Sequence, residues 1–315
     1  MAKKRKRTQR RPARSGNGHR PGDAPAHTEP EAEAVPRHPG ATVFPPVYRS
    51  LLTGFETAAG NPVMLLVPLV LVLVVWMALV AAGLSFFPFE MPSVLALTPI
   101  GSSFDGAIST TLLGMSLWTL AAILLFTMLR SLVVAVFIGM MDEVMDFGHV
   151  TGVGPLRGLR SFLPVLTYEY IGVLITLFGS IFVQMLGAGA GPILRIALPV
   201  AVIFFLTFMP IVAVRKGIRA RDALSRSIRG ARLPGWIRHL VLSMAYYFVA
   251  TLGQDFLTPD RYVITATPGF RTWVFVLGAT LFNMVFLGAF IAEWRAIESY
   301  VPAKAPRRAP APRRR

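Results

Sequence analysis

From residue 62 onward the apolar positions come in long blocks rather than in alternation. A helix needs about 20 apolar residues to cross about 30 Å of hydrocarbon. Six blocks reach or approach that length: Pro62–Leu84, Ser109–Arg130, Leu163–Leu186, Pro192–Val214, Trp236–Phe256 and Thr272–Ile291. The second block continues past Arg130 as SLVVAVFIGMM, which is more than one span. The pattern predicts that this helix runs on beyond the membrane face or bends near Ser131, with an unbroken tilted helix to Met141 as the alternative. Pro68, Pro199 and Pro210 fall inside blocks and predict kinks. A proline removes a backbone donor, and neighbours must satisfy the carbonyl it frees. Trp273 and Trp294 bracket the sixth block, as suits the headgroup zone.

Polar stretches divide these blocks. Residues 1–46 and 301–315 are rich in Arg, Lys, Pro and Ala and contain nothing that could form a core. Both read as disordered basic tails around a membrane domain over 47–300. Three connections share an outline: Val47–Asn61, Met141–Phe162 and Arg215–Arg232. Each is short, partly apolar and arginine-bearing, and each precedes a block. This predicts three helical hairpins, each introduced by an interfacial helix, and raises an internal triplication. At about 100° per residue, Ala220, Leu224, Ile228 and Ala231 of the third connection cluster on one side. Arg215, Arg219, Arg226 and Arg229 gather on the other. The expected role is an amphipathic helix on the inner membrane face, its apolar stripe against acyl chains or the bundle and its arginines against anionic headgroups. The fold class this predicts is all-α, a polytopic membrane helical bundle of six transmembrane helices with short interfacial amphipathic helices.

Composition agrees. The 315 residues are 54% hydrophobic and only 15% charged, against about 25% in ordinary soluble domains. The net charge is +16, which in a soluble protein would suggest nucleic acid. Here 28 of the 32 Lys and Arg fall in the two tails and the 2–3 and 4–5 connections, all on one side of a six-span arrangement. The positive-inside rule then places both termini in the cytoplasm and makes lipid the favoured partner over nucleic acid. Basic tails rich in Pro and Ala suggest a bacterial plasma membrane. A protein partner or a second copy of the chain stays open.

Catalytic chemistry is thin. There is no Cys, no HExxH and no Cys/His cluster to bind metal, and no cofactor is implied. No GxxxxGK[ST] loop or GxSxG elbow occurs; GVGPLRG at Gly152–Gly158 reads as a turn. His239 is placed at a helix start and no histidine in the membrane interior. The sharper residues are Arg130, near the inner end of the second span, and Glu169, two turns into the third. Both are expected in the inner third of the bilayer, paired, because a lone charge there costs several kcal/mol. The pair reads as a packing clamp, with a substrate or proton path as the alternative. Gln254, Asp255 and Asn283 are further intramembrane polar positions, and Asp255, Asp260 and Arg261 are the one cluster an enzyme could use.

The run FMPIVAVRKGIRARDALSRSIRGARLPGWIRHLVL, Phe208–Leu242, carries a resemblance. It is similar to the six-helix membrane domain attached to some glycerophosphoryl diester phosphodiesterases, and to related YciC-like bacterial membrane proteins of unknown role. There a proline near the end of span four precedes a short helix with Ala-Leu-x-x-Ser, matched here by Pro210, Ala223, Leu224 and Ser227. VYRSLLTGFETAAGNPVMLLVPL, with Asn61 and Pro62, also looks similar. The chain has no soluble phosphodiesterase domain, so no catalytic residues carry over. The resemblance implies an inner-membrane bundle without its own enzymatic activity. The favoured function is a non-enzymatic membrane protein that organises lipid or a partner complex through its basic cytoplasmic face. The alternatives are a transporter component with Arg130 and Glu169 in its path, or a lipid-acting enzyme.

Overall fold

The computed structural model describes residues 46–81, 117–233, 235–257 and 270–300. The tails, the start of the second expected span and the candidates Asp260 and Arg261 lie outside the described residues. All regular structure among the described residues is helical.

Helix α1, Val47–Gly60, leads through a 3-10 turn at Pro62–Leu65 into α2, Leu66–Ala81. Helix α3 is Leu117–Phe147, α4 is Val153–Arg160 and α5 is Phe162–Met185. After Leu186 the chain continues as α6, Gly187–Leu206, and α7, Phe208–Lys216. Helix α8 is Ala220–Ala231, α9 is Trp236–Leu257 and α10 is Phe270–Tyr300. Among the described residues, two stretches, Ile196–Lys216 and Leu277–Ser299, are long and apolar enough to cross a membrane.

Helix α3 is unbroken across Ser131, as in the reading in which it runs on past Arg130. Ser131 donates to the Thr127 carbonyl one turn back, 2.7 Å, which leaves the helical ladder intact. The helix passes Met141 and ends at Phe147, six residues beyond the alternative reading. Of the three prolines, Pro199 sits inside continuous α6 and Pro68 in the first turn of α2, where a proline removes no helical bond. The break falls at Thr207, just ahead of Pro210.

Three short helices, α1, α4 and α8, dock through small residues. Helix α1 buries Ser50, Gly54 and Ala58 against α10. Helix α4 buries Gly154 and Gly158 against α3. Helix α8 buries Ala223, Ser227 and Ala231 on the side that packs mainly on α7 and α6, and Gly230 against the Trp294 side chain of α10. Small residues let helix backbones meet, and here they do so closely. A Cβ on Gly54 would overlap the Val285 carbonyl, and one on Gly154 the Gly139 carbonyl. Each short helix thus packs on the second limb of the preceding hairpin, with α1 closing the circuit onto α10. Gly152–Gly158, read as a turn, is a turn only at its start: Gly152, φ 99°, caps α4.

The core lies at the end of the bundle that these three helices occupy. It is built from Val134–Val144 of α3, most of α7, and Met284–Ile297 of α10. Away from that end the helices carry exposed large apolar side chains, such as Leu174, Phe178 and Phe182 of α5 and Val274 and Leu277 of α10.

Candidate functional site

Arg130 of α3 and Glu169 of α5 form an ion pair, and both side chains are completely buried. The sequence expectation that they meet is correct. Tyr168, beside Glu169, lies within electrostatic reach of Arg130, Glu169 and Tyr246. The Tyr246 hydroxyl of α9 donates to Asn283 Oδ1 of α10, 2.8 Å. Asn283 in turn donates to the Ala279 carbonyl, 2.8 Å. Arg130 with Glu169, and Tyr246 with Asn283, are thus two buried polar pairs from four helices, linked through the electrostatic reach between Tyr168 and Tyr246. Sequence spacing could not place these tyrosines, because a tyrosine within an apolar block is as easily an interfacial anchor as an interior donor.

A polar layer lies further along α3. Asp142 is 1% exposed and collects three arginines from three helices. Arg157 of α4 approaches to 3.3 Å and Arg295 of α10 to 2.7 Å, and Arg215 of α7 also binds it. Arg295 donates as well to the Asp142 carbonyl, 2.7 Å, and pairs with Asp146, 2.8 Å. Glu298 of α10 takes Lys216 at 3.0 Å and Arg215 at 3.3 Å. A separate pair, Arg238 and Glu293, joins α9 to α10, with Ser50 of α1 donating to Glu293 at 3.4 Å. Sequence reasoning missed the Asp142 layer. Its signal was the acidic run DEVMD at the close of an apolar block, facing three arginine-bearing connections.

That layer relocates Arg215. It sits in the last turn of α7, which Gly217 terminates at φ 60°, and its side chain is only 17% exposed. It is not on the arginine face of α8. Arg219, Arg226 and Arg229 are exposed there, joined by Arg221 and Arg232. The buried stripe is also turned from the expected one: Ala223, Ser227, Gly230 and Ala231 face the bundle, while Ala220, Leu224 and Ile228 flank it half-buried. Close helix contact selects the smallest side chains, not the most apolar ones.

The break at Thr207 explains the motif residues around it. Pro210 has no N–H to return to the preceding turn, and two neighbours bind carbonyls there. Ser227 of α8 donates to the Phe205 carbonyl, 2.6 Å. His239 Nε2 of α9 lies 2.7 Å from the Phe204 carbonyl, which can only accept, so that nitrogen carries the proton. His239 is 1% exposed and stacks on Phe208 with ring centroids 4.1 Å apart. His239 stands at a helix start, as expected, but it is buried inside the bundle. Helix α9 begins at Trp236, and that start is packed under α6 and α10.

At the head of α4, Glu143 is 2% exposed. Burial would raise its pKa. The Thr151 hydroxyl donates to the carboxylate, and with the neighbouring backbone N–H groups of Gly154, Thr151 and Gly152 it holds the pKa below its ordinary value. No protein-family model, curated protein or solved structure matches this chain.

Proposed function

We propose that the chain is a six-span protein of a bacterial plasma membrane with both termini in the cytoplasm, which organises anionic lipid or a partner complex through its basic inner face and catalyses no reaction. The exposed apolar girdle over α5, α9 and α10 supports the spanning arrangement, since a soluble monomer rarely exposes so much contiguous apolar surface. The observation that carries the functional reading is α8. Its small-residue face is fixed to the bundle, and its other face offers Arg219, Arg221, Arg226, Arg229 and Arg232 with one acid, Asp222, among them. Each basic residue near an anionic membrane surface contributes about 1 kcal/mol.

The test uses the full chain in nanodiscs that mix anionic and zwitterionic lipids. Arg219→Gln, Arg226→Gln and Arg229→Gln together remove up to about 3 kcal/mol, on the order of 100-fold in affinity. The expected result is loss of the anionic lipids that native mass spectrometry finds retained by the parent. Equal retention by parent and triple variant sinks the reading. A protein partner captured only by the parent is its other supported form.

One observation favours the transport reading: the two buried pairs, Arg130 with Glu169 and Tyr246 with Asn283, lie within the predicted spans. In proteoliposomes holding a pH-sensitive dye, that reading expects proton movement by the parent and none by Glu169→Gln.

A further inference from the structure

We infer that α1 and α4 lie immersed in the acyl chains of one leaflet, the cytoplasmic one, as surface helices fixed to the rim of the bundle. The inference rests on the spanning arrangement proposed above and adds to it a lipid contact surface separate from the arginines of α8.

On α1, Tyr48, Leu52 and Phe55 recur at four and three residues and fall within about 60° on the helix wheel. This stripe is turned about 120° from the Ser50, Gly54, Ala58 face that meets α10. Arg49 and Glu56 occupy the remaining sector and are exposed. The helix thus has a protein side, an apolar side and a charged side. A helix lying in a membrane interface beside a protein needs those three. On α4 the glycines face α3, and Val153, Leu156 and Leu159 point away from it, with Arg157 at the edge and exposed Arg160 between Leu156 and Val153, where its long stem can reach the headgroups. These six apolar side chains are 46% to 67% exposed.

Continuity identifies the occupant. The α1 stripe leads into exposed Val63, Leu66 and Val70 at the head of the first span. The α4 stripe leads into exposed Leu163 at the head of the third. A surface that covers the spans covers the stripes too, and for the spans that surface is hydrocarbon. Helix α8 occupies the third place in the circuit but lacks such a stripe, because its large apolar residues Leu224 and Ile228 are half-buried against the bundle.

The chain contains no Cys, so one introduced cysteine carries a unique spin label. The full protein is reconstituted in vesicles with the label at Leu52→Cys or Leu156→Cys, with Phe55→Cys and Leu159→Cys as second positions on each helix. Collision with oxygen, which concentrates in hydrocarbon, is compared with collision with a water-soluble nickel chelate. The expected result is a several-fold excess of oxygen collisions at all four positions and the reverse at Glu56→Cys and Arg229→Cys. Nickel-accessible labels at Leu52 and Leu156 would overturn the inference. So would label immobilisation that grows with protein density, because a second copy would then cover the stripes. Leu174→Cys on α5 separates the two levels. If it alone is oxygen-accessible, only the surface helices have been misassigned; if it too is in water, the spanning arrangement itself fails.

Discussion

Glu169→Gln is the substitution whose cost the structure defines best. The variant keeps the size of the side chain and removes its charge, leaving Arg130 charged and fully buried without the carboxylate that offsets it. Removing one partner of a buried ion pair costs about 3–5 kcal/mol. Arg130→Met is the milder single change, since the remaining carboxyl can take up a proton and become neutral. Replacing both, Arg130→Met with Glu169→Leu, removes both charges and fills the space with apolar atoms. Such replacements run from neutral to about 1–4 kcal/mol stabilising. The double variant should therefore be at least as stable as the milder single variant, with an interaction energy of about 2 kcal/mol or more. The assay is thermal unfolding in nanodiscs followed by helical circular dichroism. A chain of this size shifts by roughly 2–4 °C per kcal/mol, so Glu169→Gln should lower the midpoint by on the order of 10 °C. Two mild and strictly additive single variants would refute the argument and leave Arg130 reaching water.

Gly54→Val should release α1 from α10, because a Cβ there overlaps the Val285 carbonyl and stands 2.9 Å from the Ala289 nitrogen; limited proteolysis should then cut within 47–60, whereas the exposed Gly60→Ala should leave the pattern unchanged. Ser227→Ala strands the Phe205 carbonyl and should cost about 1–3 kcal/mol in the same unfolding assay, with Ser227→Thr recovering part of the loss. Glu143 gives a pH dependence of fixed sign: its folded pKa lies below the ordinary 4.5, so its contribution is complete above that value and is lost as pH falls through the lower folded one. Protease cutting of the 147–153 link should rise in that acidic window, and Thr151→Val should raise it at neutral pH as well.

Much of this was legible in the blocks. Long apolar runs gave α2, α3, α5, α6 with α7, α9 and α10 their counterparts, and the Arg130–Glu169 pair followed from the cost of isolated charge in hydrocarbon. The wheel found the exposed arginines of α8 but misjudged its buried stripe. Hydropathy ranks Leu224 and Ile228 above Ser227, yet close helix contact favours Ala223 and Ser227, and the Trp294 ring leaves room only for Gly230. Arg215 was assigned to α8 because it is contiguous with that helix's arginines. Gly217 ends the preceding helix two residues later and aims Arg215 at Asp142 instead. The burial of His239 escaped because a residue at the start of a span is interior only when the bundle extends beyond that start. Periodicity within a segment carries no information about such contacts.

The buried pairs and the Asp142 layer set each other's depth. Twelve residues separate Arg130 from Asp142 on α3, and twelve separate Asn283 from Arg295 on α10. At 1.5 Å per residue each interval is about 18 Å. Asp142 and Arg295 bind each other, and the pairs of Arg130 and Asn283 are linked through Tyr168 and Tyr246, so the two helices run in register over this distance. A cluster of three acids and four bases carries exposed members, such as Lys216 and Asp146, and belongs at or beyond the edge of the hydrocarbon. In the spanning arrangement proposed here, the Arg130 pair then lies up to about 18 Å further in, close to the midplane of a bilayer whose half-thickness is about 15 Å. That is deeper than the inner third suggested by sequence. At that depth snorkelling to the inner face is beyond the reach of an arginine, and Glu169 offsets a charge that the guanidinium cannot shed. The same depth explains why the Tyr246–Asn283 pair is made of a hydroxyl and an amide, whereas the Asp142 layer is assembled from long cationic side chains whose stems can reach the headgroups.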